Sequence, residues 1–252
     1  MQIRRTILAL AAVGLFASTA QADWGWNWGG GERVQGSGEI ASETRDPGAF
    51  DGVTMTGGFK VLVRQAGSNK VEVKADKNLL PYIETRVVDG SKGRTLEVGV
   101  KRGYSINASS TPQLVLDMPQ LRLLSIAGSG DVKVAPMKTG AVDLDIAGSG
   151  DLKLEQLQSE RLGISVSGSG DVSGSGKTGT LKVSVAGSGD VKLRALEAEE
   201  AKVSIAGSGD AEVNATRKLS VSVAGSGDVG YVGSPEISTS IAGNGKVKKL
   251  AN

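Results

Sequence analysis

The chain has 252 residues, 37 of them Gly, only 4% aromatic, with no Cys and no His. Missing Cys excludes disulfides, thiolate nucleophiles, zinc-thiolate sites and a lipidated cysteine, and missing His excludes Ser-His-Asp and Cys-His machinery. Lys and Arg number 29 against 27 Asp and Glu, which falls short of the sustained basic excess that nucleic-acid binding requires.

Residues 1–22 read as a secretory signal peptide. Arg4 and Arg5 form the positive n-region, Ile7 to Phe16 the apolar h-region, and Ala20-Gln21-Ala22 the small-residue cleavage site. About ten apolar residues are too few to span a bilayer, and no later segment is long and apolar enough to do so. Cleavage after Ala22 would leave 27 basic and 27 acidic side chains, a formally neutral chain. The expected destination is the periplasm or surface of a bacterium, by the general secretory route.

Residues 23–44 read as a Trp/Gly-rich flexible segment. Trp24, Trp26 and Trp28, all the Trp of the chain, alternate within Asp23–Gly29. They could stack on sugar rings or lie in a membrane interface, as amphipathic indoles do. The plainer reading is a terminus that does not order.

Residues 45–120 are β-rich but carry no repeat. Strands are expected at Val53 to Met55, Phe59 to Val63, Val71 to Val73, Tyr82 to Val88, Leu96 to Val100 and Leu114 to Leu116, with Asp89-Gly90-Ser91 as a hairpin turn. This part is either a small sandwich or a set of irregular coils that cap a solenoid. The second reading is favoured.

From 121 to 252 the chain repeats itself, the signal to be sought before any other. Gly-Ser-Gly-Asp begins at Gly128, Gly148, Gly168, Gly187, Gly207 and Gly225, and Gly-Asn-Gly-Lys follows at Gly243. The spacings are 20, 20, 19, 20, 18 and 18 residues. Side chains alternate before each corner, as in Val203-Ser204-Ile205, and after it, as in Leu152-Lys153-Leu154. Period-two patterning with β-branched residues on one side marks half-buried strands. Two short strands meeting at a Gly corner every 18 to 20 residues fit one coil of a parallel β-solenoid. The fold class is therefore all-β. Val, Ile and Leu would stack in ladders that no single coil could bury alone. Lys246, Lys248 and Lys249 at the far end would discourage addition of another chain to the last strand.

The corner acids Asp131, Asp151, Asp171, Asp190, Asp210 and Asp228 should form a row. Carboxylates about 5 Å apart repel by roughly 1 kcal/mol in water, so something must relieve them. Corner N–H groups, the nearby Lys133, Lys153 and Lys192, or bound Ca²⁺ would each do so. The structural turn is the leading reading. Ca²⁺ is the one cofactor worth weighing, and no catalytic residue emerges. Ser165, Ser184, Ser204, Ser222 and Ser240 should form a second, outward row that suits a closely spaced exposed sheet, with sugars or a partner strand as its functional alternative.

The motifs Phe50-Asp51-Gly52-Val53, Gly57-Gly58-Phe59-Lys60-Val61, Asn78-Leu79-Leu80 and the repeated Ser-[Ile/Val]-Ala-Gly-Ser-Gly-Asp-Val run resemble the head GIN domain of putative auto-transporter adhesins. The resemblance covers about residues 45 to 248 and implies a right-handed parallel β-helix in an exported envelope protein, without catalytic residues. The function expected is a non-enzymatic, adhesin-like solenoid with a regular polar binding surface for an envelope glycan or protein. An assembly or envelope-stress scaffold and a polysaccharide-active β-helix enzyme are the alternatives. Aromatic platforms and a recurring Arg, which the enzyme would need, do not appear in the repeats. Solenoid ends and flat faces both leave room for a homo-oligomer.

Overall fold

The structure, a computed structural model, describes residues 31–90 and 93–251. The signal-peptide reading and Trp24, Trp26 and Trp28 lie outside the described residues. Strands take up 71% of the chain. In chain order they are β1 (Glu32–Gln35), β2 (Ile40–Arg45), β3 (Gly52–Thr56), β4 (Lys60–Gln65), β5 (Lys70–Asp76), β6 (Ile83–Gly90) and β7 (Gly93–Val100). There follow β8 (Tyr104–Asn107), β9 (Gln113–Met118), β10 (Leu123–Gly128), β11 (Asp131–Val134), β12 (Met137–Lys138) and β13 (Ala141–Gly148). The last are β14 (Asp151–Gly168), β15 (Val172–Gly187), β16 (Val191–Gly207), β17 (Ala211–Gly225), β18 (Val229–Val232), β19 (Glu236–Gly243) and β20 (Val247–Lys249). A short 3-10 turn, Leu80–Tyr82, precedes β6.

Eighteen strands belong to one sheet wound into a β-solenoid of about six turns. One face runs β6, β7, β3, β10, β13, the second halves of β14 to β17, then β19. The face after the Gly corner runs β2, β5, β9, β4, β11, the first halves of β14 to β17, β18, then β20. A shorter third side links them, where Met137 aligns with Leu157, Gly176 and Leu196.

Alternation in the sequence becomes inside and outside. Met55, Ile126, Ile146, Val166, Val185, Ile205 and Val223 lie in register and are all buried. Each is worth up to about 1.5–3 kcal/mol of burial, and because every coil buries its row against the next, the stack is cooperative. The corner requires Gly for a steric reason. Gly187 has φ +135, and a Cβ there would stand 2.3 Å from the carbonyl oxygen of Gly168 in the coil below.

The N-terminal strands do not follow chain order in the stack. The β3–β4 coil lies directly beneath β10 and β11. The intervening segment doubles back, placing β7 and β9 below it in parallel, then β6 and β5 antiparallel. The expected hairpin is present, with Gly90 opposite Gly93. All six strands expected between 53 and 116 form. The terminus read as flexible from 23 to 44 contains β1 and β2 from Glu32 onward. β2 is held antiparallel to β5, and Arg45 donates to the carbonyls of Ile83 at 2.6 Å and Leu80 at 2.8 Å. Weak local alternation in Ile40–Arg45 is thus outweighed by tertiary pairing.

Candidate binding faces

The corner carboxylates do form a row, with Lys60 in register below Asp131 and Lys246 following Asp228. Their partners come from the neighbouring coil. The N–H groups of Asp171, Asp190, Asp210, Asp228 and Lys246 donate to the Oδ1 of Asp151, Asp171, Asp190, Asp210 and Asp228, at 3.3, 2.9, 3.2, 2.7 and 2.9 Å. From Ser149 to Ser226 the Ser N–H of the corner donates to the first Gly carbonyl of the coil below, as Ser188 does to Gly168 at 2.9 Å, and Asn244 does the same to Gly225. The carboxylates from Asp151 to Asp228 thus each satisfy a backbone donor of the next corner, whereas Asp131 pairs with Asp151 through the strand ladder.

The three lysines expected to relieve the row behave differently from one another. Lys133 and Lys153 reach Glu155, at 2.9 and 3.4 Å, and only Lys192 turns to a corner acid, Asp190, at 3.5 Å. The hydrogen bond from Lys133, with that from Lys153, holds the Glu155 carboxyl below the usual carboxylate range. Glu197 raises the Lys177 ammonium in the same way. Both shifts come from surface partners rather than from a desolvated site. Among the described residues no group of three or more acidic side chains converges to hold a metal ion.

The serine row is longer than the sequence suggested. Thr54, Ser125, Asp145, Ser165, Ser184, Ser204, Ser222 and Ser240 stand in register along one outward face. Beside them run Thr56, Ala127, Ala147, Ser167, Ala186, Ala206, Ala224 and Ala242. Apart from Asp145, hydroxyls and methyls this small keep the two columns low, with a new side chain about every 4.8 Å along the axis, while the exposed Lys182 and Lys202 stand in register in the next outward column.

A feature missed in the sequence interrupts the other face. Where neighbouring coils carry Leu154 and Leu193, β15 has Ser173-Gly174-Ser175-Gly176, and the strand register shifts on both sides. Opposite it, Gln156 is the one described non-Gly residue at positive φ, +48, and its N–H donates to Ser175 Oγ at 3.1 Å. A groove of about 640 Å³ opens over this dip, flanked by Lys153, Glu155, Lys192 and Arg194. A second groove of about 810 Å³, along Leu62, Val115, Lys133 and Asp151, shares Lys153, Ser173 and Lys192 with it. The 19-residue spacing between Gly168 and Gly187 was the available signal.

The chain is similar in structure to a putative adhesin from Bacteroides fragilis, at 23% identity and TM-score 0.80 over 86% of this chain and all of that one. A putative lipid binding protein from Parabacteroides distasonis matches at 27% identity and TM-score 0.72, over 87% of this chain and all of that one. A putative adhesin from Parabacteroides merdae matches at 20% and 0.67, with 87% and full coverage. Among curated proteins no relative matches the chain. The family model described as "putative auto-transporter adhesin, head GIN domain" matches residues 49–235, most of the stack from β3 to β18. The chain belongs to this head GIN domain family.

Proposed function

We propose that the protein is an exported, non-catalytic, adhesin-like solenoid of a bacterial envelope, cleaved after Ala22, that binds through its regular polar faces. The observation that carries this reading is the pair of register-locked columns of Thr, Ser and Ala from Thr54 to Ala242, interrupted once by Asp145. A rigid surface that repeats the same small groups at one spacing suits a ligand that itself repeats, such as an envelope glycan. The family and its neighbours support an adhesin-like role. The corner acids from Asp151 to Asp228 are occupied by backbone donors, so they serve the turn rather than proton transfer.

The test sets the chain against a panel of envelope and host polysaccharides, scoring retention and depolymerisation together, with and without Ca²⁺. Retention without cleavage is expected, and it should fall at least tenfold in the double variant Ser184→Lys, Ser204→Lys. Reproducible depolymerisation would overturn the non-catalytic reading. Failure to retain any glycan, with capture of one envelope protein instead, would replace adhesion by a scaffold role.

A further inference from the structure

The two ends of the stack are finished differently. At the N-terminal end the antiparallel strands β2, β5 and β6 close the core. At the other end, β19 is hydrogen-bonded to β17 alone among the described residues, and its other edge is free. Ile237, Thr239 and Ile241 continue the inward ladders of Leu219, Val221 and Val223. Those three residues are buried, yet Ile237 is 39% and Ile241 43% exposed. These are core positions with no coil above them. Unprotected edges of this kind are normally blocked by charge. Lys248 and Lys249 of β20, with Lys246 just before it, block that strand, whereas β19 carries only Glu236 at its start and residues 237–245 carry no charge.

From this geometry we infer that the open edge of β19 receives the Trp24–Trp28 segment of a second copy as an added strand. Trp24, Trp26 and Trp28 alternate with the same period as Ile237, Thr239 and Ile241, so one face of the segment can cover all three. The segment's own solenoid cannot supply it. It joins β1, whose partner β8 places Tyr104 against Tyr82, 4.7 Å between ring centroids, at the N-terminal end. From β6 to β19 the stack measures about 40 Å at the inter-strand spacing, whereas Asp23–Gly30 fully extended reaches about 27 Å. Pairing of two identical C-terminal ends would bring the lysines of both copies together. The contact is therefore head-to-tail, which propagates unless its rotation closes it into a ring. Three indoles bury about 450–750 Å², slightly below the roughly 800 Å² per partner of a standard interface, so the association is reversible.

The experiment uses the chain recovered after export, analysed by sedimentation velocity over a concentration series. Species larger than dimers should build up with concentration. The triple variant Trp24→Ser, Trp26→Ser, Trp28→Ser and the variant Ile241→Lys should each remain monomeric, with unchanged circular dichroism. Mixed together, the two variants should give a 1:1 heterodimer that grows no further, because one keeps the acceptor edge and the other the donor segment. A chain that is monomeric throughout would overturn the inference. So would association that survives the Trp variant but not Ile241→Lys, which indicates pairing of two C-terminal ends. Loss of glycan retention in the Trp variant with unchanged sedimentation would overturn it too, and would assign the indoles to surface binding.

Discussion

From β10 onward the stack is held by a pattern, whereas below β10 it is held by individual residues. In the repeats one corner serves every coil. Gly allows the approach, the Ser N–H reaches the carbonyl below, and the Asp carboxylate takes the N–H above. Below β10 the contacts are singular. Arg122 pairs with Asp51 through Nη2 at 3.0 Å, Arg64 with Asp117 through Nε at 2.7 Å, and Arg45 ties β2 to the turn before β6. Asp76 is fully buried and accepts from the Gly38 N–H at 2.6 Å, the Ser109 N–H at 2.9 Å and the Ser109 hydroxyl at 2.7 Å. An interior coil needs only to match its neighbour, but an end must satisfy groups that no further coil will satisfy.

The sharpest way to break the pattern is Gly187→Ala. The added methyl would face a carbonyl at 2.3 Å with φ at +135, and neither backbone can yield without displacing the next corner. The expected loss is about 3 kcal/mol or more, read as a lower urea midpoint. A loss under about 0.5 kcal/mol would show that the corner is looser than the stacking implies.

Asp76→Asn tests the N-terminal closure, and its effect should depend on pH. Hydrogen bonds from Ser109, foremost its hydroxyl, hold the Asp76 carboxyl below its ordinary value of 3.8. A carboxyl depressed in the folded state stabilises fully above that ordinary value, and the contribution is lost as pH falls through the lowered one. The variant should thus be less stable than the parent at neutral pH, with the gap narrowing in acid. A gap that stays constant down to the acid limit would assign the effect to packing rather than to charge.

The smallest effect is expected from Ca²⁺. Since the corner carboxylates from Asp151 to Asp228 already accept backbone N–H groups, millimolar Ca²⁺ should leave the melting temperature unchanged. A large rise reversed by EGTA would show that the row binds the ion.

What the sequence reveals divides along the same line. The corners are legible because Gly-Ser-Gly-Asp is local, and alternation of Val and Ile assigns inside and outside without any tertiary knowledge. The order of the N-terminal strands is not legible, because β3 and β4 pair with β10 and β11 some 70 residues later, and no local pattern encodes that return. Asp76 appears in the sequence as one more acid at a strand end, and its donors stand 38 and 33 residues away. Ser125 and Thr54 were hidden from the serine row because Asp145 interrupts it. The dip at Ser173–Gly176 could be read only as a short spacing until the register shift gave it a shape.

The self-pairing corner also bears on how such a molecule can change over generations. Each coil presents above the same groups that it accepts below, so a unit copied within the gene finds its seat already made on both sides. One duplication would lengthen the body by about 4.8 Å and add one more Ser to the face, with neither terminus needing redesign. Length and valency can therefore drift in whole steps while the two ends, where the unique chemistry resides, stay fixed.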